Sequence, residues 1–463
     1  RNWPETVASP CPPRLASLAV RAMSESGGGM IWPLPIAWLT VEDTATEGQV
    51  WETASCFYNG ASDGGKPLRG PGPRTQPHNG TLLVGLPEGQ FSAHLRSRRE
   101  CVVHTVTERH CHRVAKLLAA GARAGTLVSP SELAASAGAT ARRIAEAPVA
   151  FACRVHKALS LKGAAEEEED QVAFVLSIVG VHVQGSLIVD GLIDSRALRP
   201  VGACDPMGSF LIHASEEHSM IFPSEVDAEG RWIVPASEPI APRGTPSPGV
   251  SVAEDLVYMP PLLPDLPYNP FKALVVPRPI GWISTRGESS DNLSPYSFFG
   301  YLSPSIVFFG AGGSHSDGGG EKDALKDSRT SGVFCVNVVP WRLRLAMSAS
   351  SAAAPRGADE FLLHVSPASA EAAAAEAAQK GTCEKINAPC VSNAPLRLEC
   401  EVMELVKMTD DHDVIVIGKV VHVVGAMDGP VASRGGYMNY FRIASEHCFA
   451  PEARASGCVA TCN

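Results

Sequence analysis

The stretch Arg278-Pro279-Ile280-Gly281-Trp282-Ile283-Ser284-Thr285 is followed closely by Asn292-Leu293-Ser294-Pro295-Tyr296-Ser297-Phe298-Phe299. Together they read as two short strands joined by a turn. Pro277 and Pro279 each fix their own φ and push the preceding residue toward extended backbone. Arg278, between them, is held extended, where its planar fork can donate two hydrogen bonds to a phosphate. Ser284 and Thr285 bring hydroxyls and backbone N–H groups to the strand end, a usual place for an anion-binding turn. Taken alone, the stretch also fits a Pro-framed edge strand with a surface arginine.

Two further segments add to this reading. Lys322-Asp323-Ala324-Leu325-Lys326-Asp327 opens a short helical stretch that leads into the strand Val333-Phe334-Cys335-Val336-Asn337. A cation beside helix N-terminal amides makes a phosphate cradle; the same residues also fit a solvated helix turn with alternating charges. Asn393–Val402 and Asp413–Val423 have strand length, and the second is rich in β-branched residues. In this order the segments resemble the flavin reductase-like family of FMN-binding split β-barrels, the flavoredoxin type. The resemblance covers roughly residues 270–445. Ala324 stands where the family usually has Thr, and Asp327 where it often has Asn.

The resemblance implies FMN as cofactor. Arg278, Pro279, Ile280, Ser284, Thr285, Lys322, Asp323 and Ala324 would surround its phosphate, with Lys326 or Arg329 nearby. Asn292, Pro295, Tyr296, Ser297, Phe298 and Phe299 would run along the isoalloxazine, and Tyr440 and Arg442 would approach from the tail. It also implies hydride transfer from NAD(P)H to FMN and on to a small-molecule acceptor that the sequence does not identify. No catalytic acid or base is assigned, since the flavin carries the chemistry. No GxGxxG fingerprint is present, as expected of a family that docks the nicotinamide on the flavin.

Composition sets the bounds. The chain has 463 residues, 45% apolar and 19% charged, enough for two or three globular domains. A net charge of −10 argues against general nucleic-acid binding, and no apolar run reaches membrane-spanning length. Thirteen cysteines at irregular spacing read as reduced thiols of a cytoplasmic protein. The sequence begins at Arg1, so a targeting segment ahead of it is left open. Cys458 and Cys462 with His447 and Cys448, and the triplet His110-Cys111-His112, lack zinc-module spacing, and no metal is expected.

The first half repeats the second. Leu34 to Thr40 aligns with Arg278 to Ser284, Thr53–Phe57 with Pro295–Phe299, Glu100–His104 with Val333–Asn337, Glu146–Cys153 with Asn393–Cys400, Val181–Val183 with Val421–Val423, and Met207–Phe210 with Met438–Phe441. Two unrelated β domains of similar strand composition are the alternative. Leu34 replaces Arg278, and no Lys-Asp pair precedes Glu100. The expected architecture is therefore mainly β with minor α: two split-barrel-like antiparallel barrels in tandem, forming an intrachain pseudo-dimer. Its divisions are a degenerate barrel over 1–230, a Pro-rich linker over 231–256 and the FMN-binding barrel over 257–463. Residues 59–80 read as a loop and the acidic run 166–170 as a hairpin tip. Helices are expected at 109–124, 130–146 and 368–380. The function expected is an FMN-binding oxidoreductase. A flavin-holding electron carrier or sensor without turnover, and an interaction protein on a degenerate barrel, are the alternatives.

Overall fold

The computed structural model describes residues 34–42, 49–59, 80–107, 132–163, 170–189, 254–260, 274–275, 278–303, 305–315, 319–363, 376–408 and 413–425, with short pieces within 192–239 and 441–460. The architecture is mainly β. In the first half, β1 (Leu34–Glu42), β2 (Gln49–Asn59), β3 (Thr81–Pro87), β4 (Glu100–Thr105), β7 (Val149–Leu161) and β8 (Gln171–Val183) carry the wall. The short strands β5 (Leu133–Ala134) and β6 (Arg143–Ile144) form a hairpin beside it. Helix α1 (Gln90–Arg98) lies between β3 and β4. These pairings are all antiparallel, and the ring β1-β2-β3-β8-β7-β4 closes on itself, so each wall strand has a neighbour on both sides. Alternate side chains such as Leu82, Val84 and Leu86, with Phe174, Leu176 and Ile178, fill its core.

After β9 (Leu256–Tyr258) and β10 (Arg278–Pro279), the second half repeats the plan. Its wall is β11 (Gly281–Arg286), β12 (Asp291–Tyr296), β13 (Phe299–Ser303), β14 (Ile306–Ala311), β15 (Val333–Asn337), β18 (Leu396–Lys407) and β19 (Val414–Gly425). Helix α2 (Asp323–Ser331) precedes β15, and β16 (Lys380–Thr382) with β17 (Pro389–Val391) forms the matching hairpin. The pairings follow the same order as in the first half. One difference matters for function: the strand continuous as β2 is interrupted at Ser297-Phe298, between β12 and β13.

The correspondence reaches single residues. Trp38 stands opposite Thr53 and His104; Trp282 stands opposite Pro295 and Asn337, and both indoles are fully buried. The β7–β8 ladder slips at Ala152/Cys153, and β18–β19 at Glu399/Cys400. Each helix ends on a left-handed residue, Arg99 at φ 60 and Gly332 at φ 72. Each is strapped by an arginine in its last turn or near it, Arg96 to Glu88 and Arg329 to Glu321, both at 2.5 Å.

Register corrects one alignment. Gly180 pairs with Ala152 and His422 with Glu399, each just before the slip, so His422 matches Gly180 and not His182. Apolar strands look alike when displaced by an even number of residues, and only the bulge fixes the frame. The helix expected over 130–146 is also corrected. Over its described part, 132–146, the chain forms the β5–β6 hairpin, turning through Gly138 at φ 78. Long-range pairing and burial of Ile144 override a local helical pattern there. Of the stretch 368–380, the described end 376–379 is not helical and Lys380 begins β16. The segments 60–79, 109–124 and 164–169, most of the Pro-rich stretch, Tyr440, Cys458 and Cys462 lie outside the described residues. Among those described, no helix is long and apolar enough to cross a membrane, and no cluster fit for a metal ion occurs.

The barrels share an apolar layer. Leu83, Leu161, Ala173 and Val175 of the first pack with Leu302, Ile306, Phe308, Val406, Ile415 and Ile417 of the second. Leu83 pairs with Val175 as Phe308 pairs with Ile417, so the same face of each barrel meets the other, as in a two-fold dimer. Lys157 and Glu404, equivalent by register, ion-pair at 3.7 Å; identical residues in that place would repel. β9 pairs with the end of β8, and Leu274 and Val275 enter the first barrel's core. Ile417→Val removes one methylene from the shared layer and is expected to cost about 1 kcal/mol, read from urea denaturation.

Candidate functional site

The strand break lies between β12 and β13, and β13 runs against β2 and β3 of the first barrel. Phe298, at the break, packs on the first barrel's core, and the Thr105 hydroxyl donates to the Leu274 carbonyl at 3.2 Å, just ahead of β10. β10 pairs with β20 (Phe441–Arg442), which sets Arg278 opposite Arg442 and Pro279 opposite Phe441. β10 also runs close to β1 and β13.

On β11 and β12 most side chains turn inward. Ile280 packs with Trp282 and Leu293 in a core cluster. Ser284 and Thr285 are fully buried. The Ser284 hydroxyl donates to the Pro389 carbonyl at 2.7 Å and accepts from Asn337 Nδ2 at 3.0 Å. Thr40, its match in the first barrel, donates to the Arg142 carbonyl at 2.8 Å. The shared bond is structural, since it pins the side hairpin to the wall in both halves. Thr285 donates to Asp327 Oδ2 at 2.9 Å. Both hydroxyls thus already serve contacts within the protein. Asn337 donates to the Trp282 carbonyl and accepts from the Val391 amide; His104 does the same for Trp38 and Ile144.

Asn292 is buried and accepts from Ser294 at 3.4 Å. Pro295 sits opposite Trp282, and Ser297 is half-buried at the break. Tyr296 and Phe299 belong to the core, with the Tyr296 ring 5.1 Å from Phe309. Ala324 is fully buried in that same cluster. Lys322 is the N-cap of α2, which has no side-chain cap, and its ammonium lies 5.8 Å from the centre of the Tyr296 ring. The helix segment and the β12 segment, far apart in sequence, meet here.

The electrostatics are mixed. Asp323 is held by Arg356 at 2.5 Å and lies 3.4 Å from His315. Arg329 is engaged by Glu321, as noted above. Burial pushes the Asp327 carboxyl up to about 6, partly offset by the Thr285 hydrogen bond. Glu360, in a turn packed on β12, accepts from the Leu293 amide at 2.8 Å and the Ser294 hydroxyl at 2.9 Å. Burial, opposed by those bonds, pushes it up to about 7. Burial also raises Tyr296, with Glu360, Asp323 and Asp327 adding to the shift. No local pattern marks Glu360 in the sequence, because its partners lie more than sixty residues away. A lysine at the N-terminus of α2 is a donor whose chemistry suits a phosphate monoester, and a separate strand pair, β10 with β20, sets Arg278 and Arg442 in register.

Residues 273–441 match the family model described as the flavin reductase like domain. An uncharacterized protein of Deinococcus radiodurans is 34% identical over 161 residues, 33% of this chain and 64% of that protein. The chain thus spans just under two thirds of that relative's length. One of Aquifex aeolicus is 28% identical over 152 residues, 32% of this chain and 70% of that protein. Among solved structures, nitrilotriacetate monooxygenase component B from Bacillus cereus is 21% identical, with a TM-score of 0.32 over 39% of this chain and 86% of that one. An FMN-binding protein from Thermus thermophilus, with bound p-hydroxybenzaldehyde, is 14% identical, with a TM-score of 0.30 over 39% and 90%. The family-model match over 273–441 falls on the second of the two barrels.

Proposed function

We propose that this chain is an FMN-binding oxidoreductase that holds one FMN per chain in its second barrel. NAD(P)H is the reductant and a small molecule the acceptor. The observation that carries the reading is the meeting of Lys322 with Tyr296 beside the broken strand, within the matched domain. When bound, FMN supplies a hydride-accepting ring. Arg278, Arg442 and Lys322 would hold its phosphate with the first amides of α2. The segment 292–299 would line the ring, and Phe298 would anchor that segment to the first barrel. Tyr440 is proposed to approach from the tail. In this reading 1–230 is a degenerate duplicate that acts as the partner wall, 231–256 is the linker and 257–463 is the functional barrel, all in the cytoplasm.

The test is the absorption spectrum after FMN addition and desalting. One flavin per chain, bleached by NADPH or NADH, is expected. A bound flavin that neither nucleotide bleaches leaves a carrier or sensor. The inward-turned Ser284 and Thr285 and the carboxylates near α2 favour a barrel without flavin, and a colourless folded protein would establish that alternative. Arg278→Ala is expected to weaken FMN binding roughly tenfold or more, the loss of charge-assisted hydrogen bonds, measured by quenching of flavin fluorescence. An unchanged affinity would remove Arg278 from the site.

A further inference from the structure

The second barrel carries a group of thiols that flavin binding does not use. Cys335 on β15, Cys383 just beyond β16 and Cys390 on β17 pack with Ile386 and Ala388 in one small buried cluster. They are 0%, 9% and 2% exposed, so Cys383 is the most accessible. The Cys383 thiol hydrogen-bonds both of the others and reaches the Pro389 carbonyl at 3.6 Å. Arg397 Nη1 donates to Cys390 Sγ at 3.5 Å.

The fold does not require these thiols. By strand register the same hairpin in the first barrel carries Ser136 and Arg143 where the second has Cys383 and Cys390, over Val102 in place of Cys335. The Cys383 amide bonds the Ala388 carbonyl at 3.0 Å, which sets Cys383 opposite Ala388 and diagonal to Cys390 on one face of the hairpin.

We propose that Cys383 and Cys390 are an oxidation site that forms a reversible intramolecular disulfide with hydrogen peroxide as the oxidant. Cys390 is the attacking sulfur, since the Arg397 guanidinium stabilises its thiolate. The hydrogen bond with Cys335 and burial otherwise hold Cys383 protonated, and the bond with Cys383 and burial hold Cys390 protonated, which keeps the reaction slow. The Cys390 thiolate cleaves the O–O bond, giving a sulfenic acid and hydroxide, which takes up the proton Cys390 lost. Cys383 then displaces the sulfenic oxygen, which leaves as a second water with the Cys383 proton. Two thiols and one peroxide thus give one disulfide and two waters, and two electrons pass from sulfur to oxygen. Cys390 is preferred to Cys335 because it shares one face of a single hairpin with Cys383, whereas Cys335 is fixed in the barrel wall. The hairpin touches the wall through the Ser284–Pro389 and Asn337–Val391 hydrogen bonds, so oxidation is felt at the end of β11.

The reduced full-length chain would be treated with limiting peroxide, alkylated in denaturant, digested and mapped by mass spectrometry. Cleavage after Lys380, Lys385 and Arg397 places the two cysteines on separate peptides. The expected product is a Cys383–Cys390 linked pair that dithiothreitol releases. In Cys383→Ser, dimedone is expected to label Cys390 as the trapped sulfenic acid. Serine at the matching Ser136 indicates that this variant folds. Full alkylation of both peptides after peroxide would overturn the proposal, as would a Cys335–Cys383 link or labelling confined to other cysteines. None of these readouts depends on whether FMN binds.

Discussion

Asn337→Ala is expected to destabilise the chain by about 3–5 kcal/mol, because it strands several buried polar groups at once. The Asn337 side chain is fully buried, donates to the Trp282 carbonyl and Ser284 hydroxyl, and accepts from the Val391 amide at 2.7 Å. Truncation leaves that amide and the Trp282 carbonyl without these partners. The midpoint of urea unfolding would measure the loss. A companion variant tests the equivalence of the halves. His104 makes the same two backbone contacts through Nδ1 and Nε2. His104→Asn, which can restore both, should cost much less than His104→Ala. Equal losses in the two variants would show that the match between His104 and Asn337 is only positional.

Glu360→Gln is expected to flatten the dependence of stability on pH near neutrality. The folded carboxyl is pushed from its ordinary 4.5 up to about 7, first by burial. Between those values the folded state holds a proton that the unfolded state has lost, so stability falls as pH rises and levels off above the folded value. The full span corresponds to about 3 kcal/mol. Glutamine can still accept from Leu293 and Ser294, so the variant should match the wild type at low pH and exceed it above pH 7. Asp327, raised from 3.8 to about 6, gives its own fall, which persists in the variant at lower pH. Identical slopes for wild type and variant between pH 6 and 7 would assign the titration to another group. Because Glu360 grips Leu293 and Ser294, its ionisation also bears on the segment proposed to line the flavin.

Much of the fold was legible because strand patterns and proline positions are local signals. The Arg278–Thr285 stretch, the Val333–Asn337 strand and the late strand pair fell where the ladders place them. The alignment of Trp38 with Trp282 and of His104 with Asn337 followed from short shared words, and register agrees with it. The His182–His422 match failed because β-branched strands carry no frame of their own. The 130–146 helix failed because the hairpin is held by contacts a local pattern does not show, such as the Ile144 amide to His104.

The sequence by itself determined that this is a β protein with two similar halves, and which half carries the cationic motifs. Those facts reside in residue identity and in short-range periodicity. Only the tertiary structure decided which way the buried polar side chains face. Ser284 and Thr285 read as anion ligands yet bond to Pro389 and Asp327, while Glu360, silent in the sequence, reaches β12. A hydroxyl or carboxyl is equally suited to a ligand or to a buried backbone group. Which one it meets is set by packing between residues that no local pattern connects.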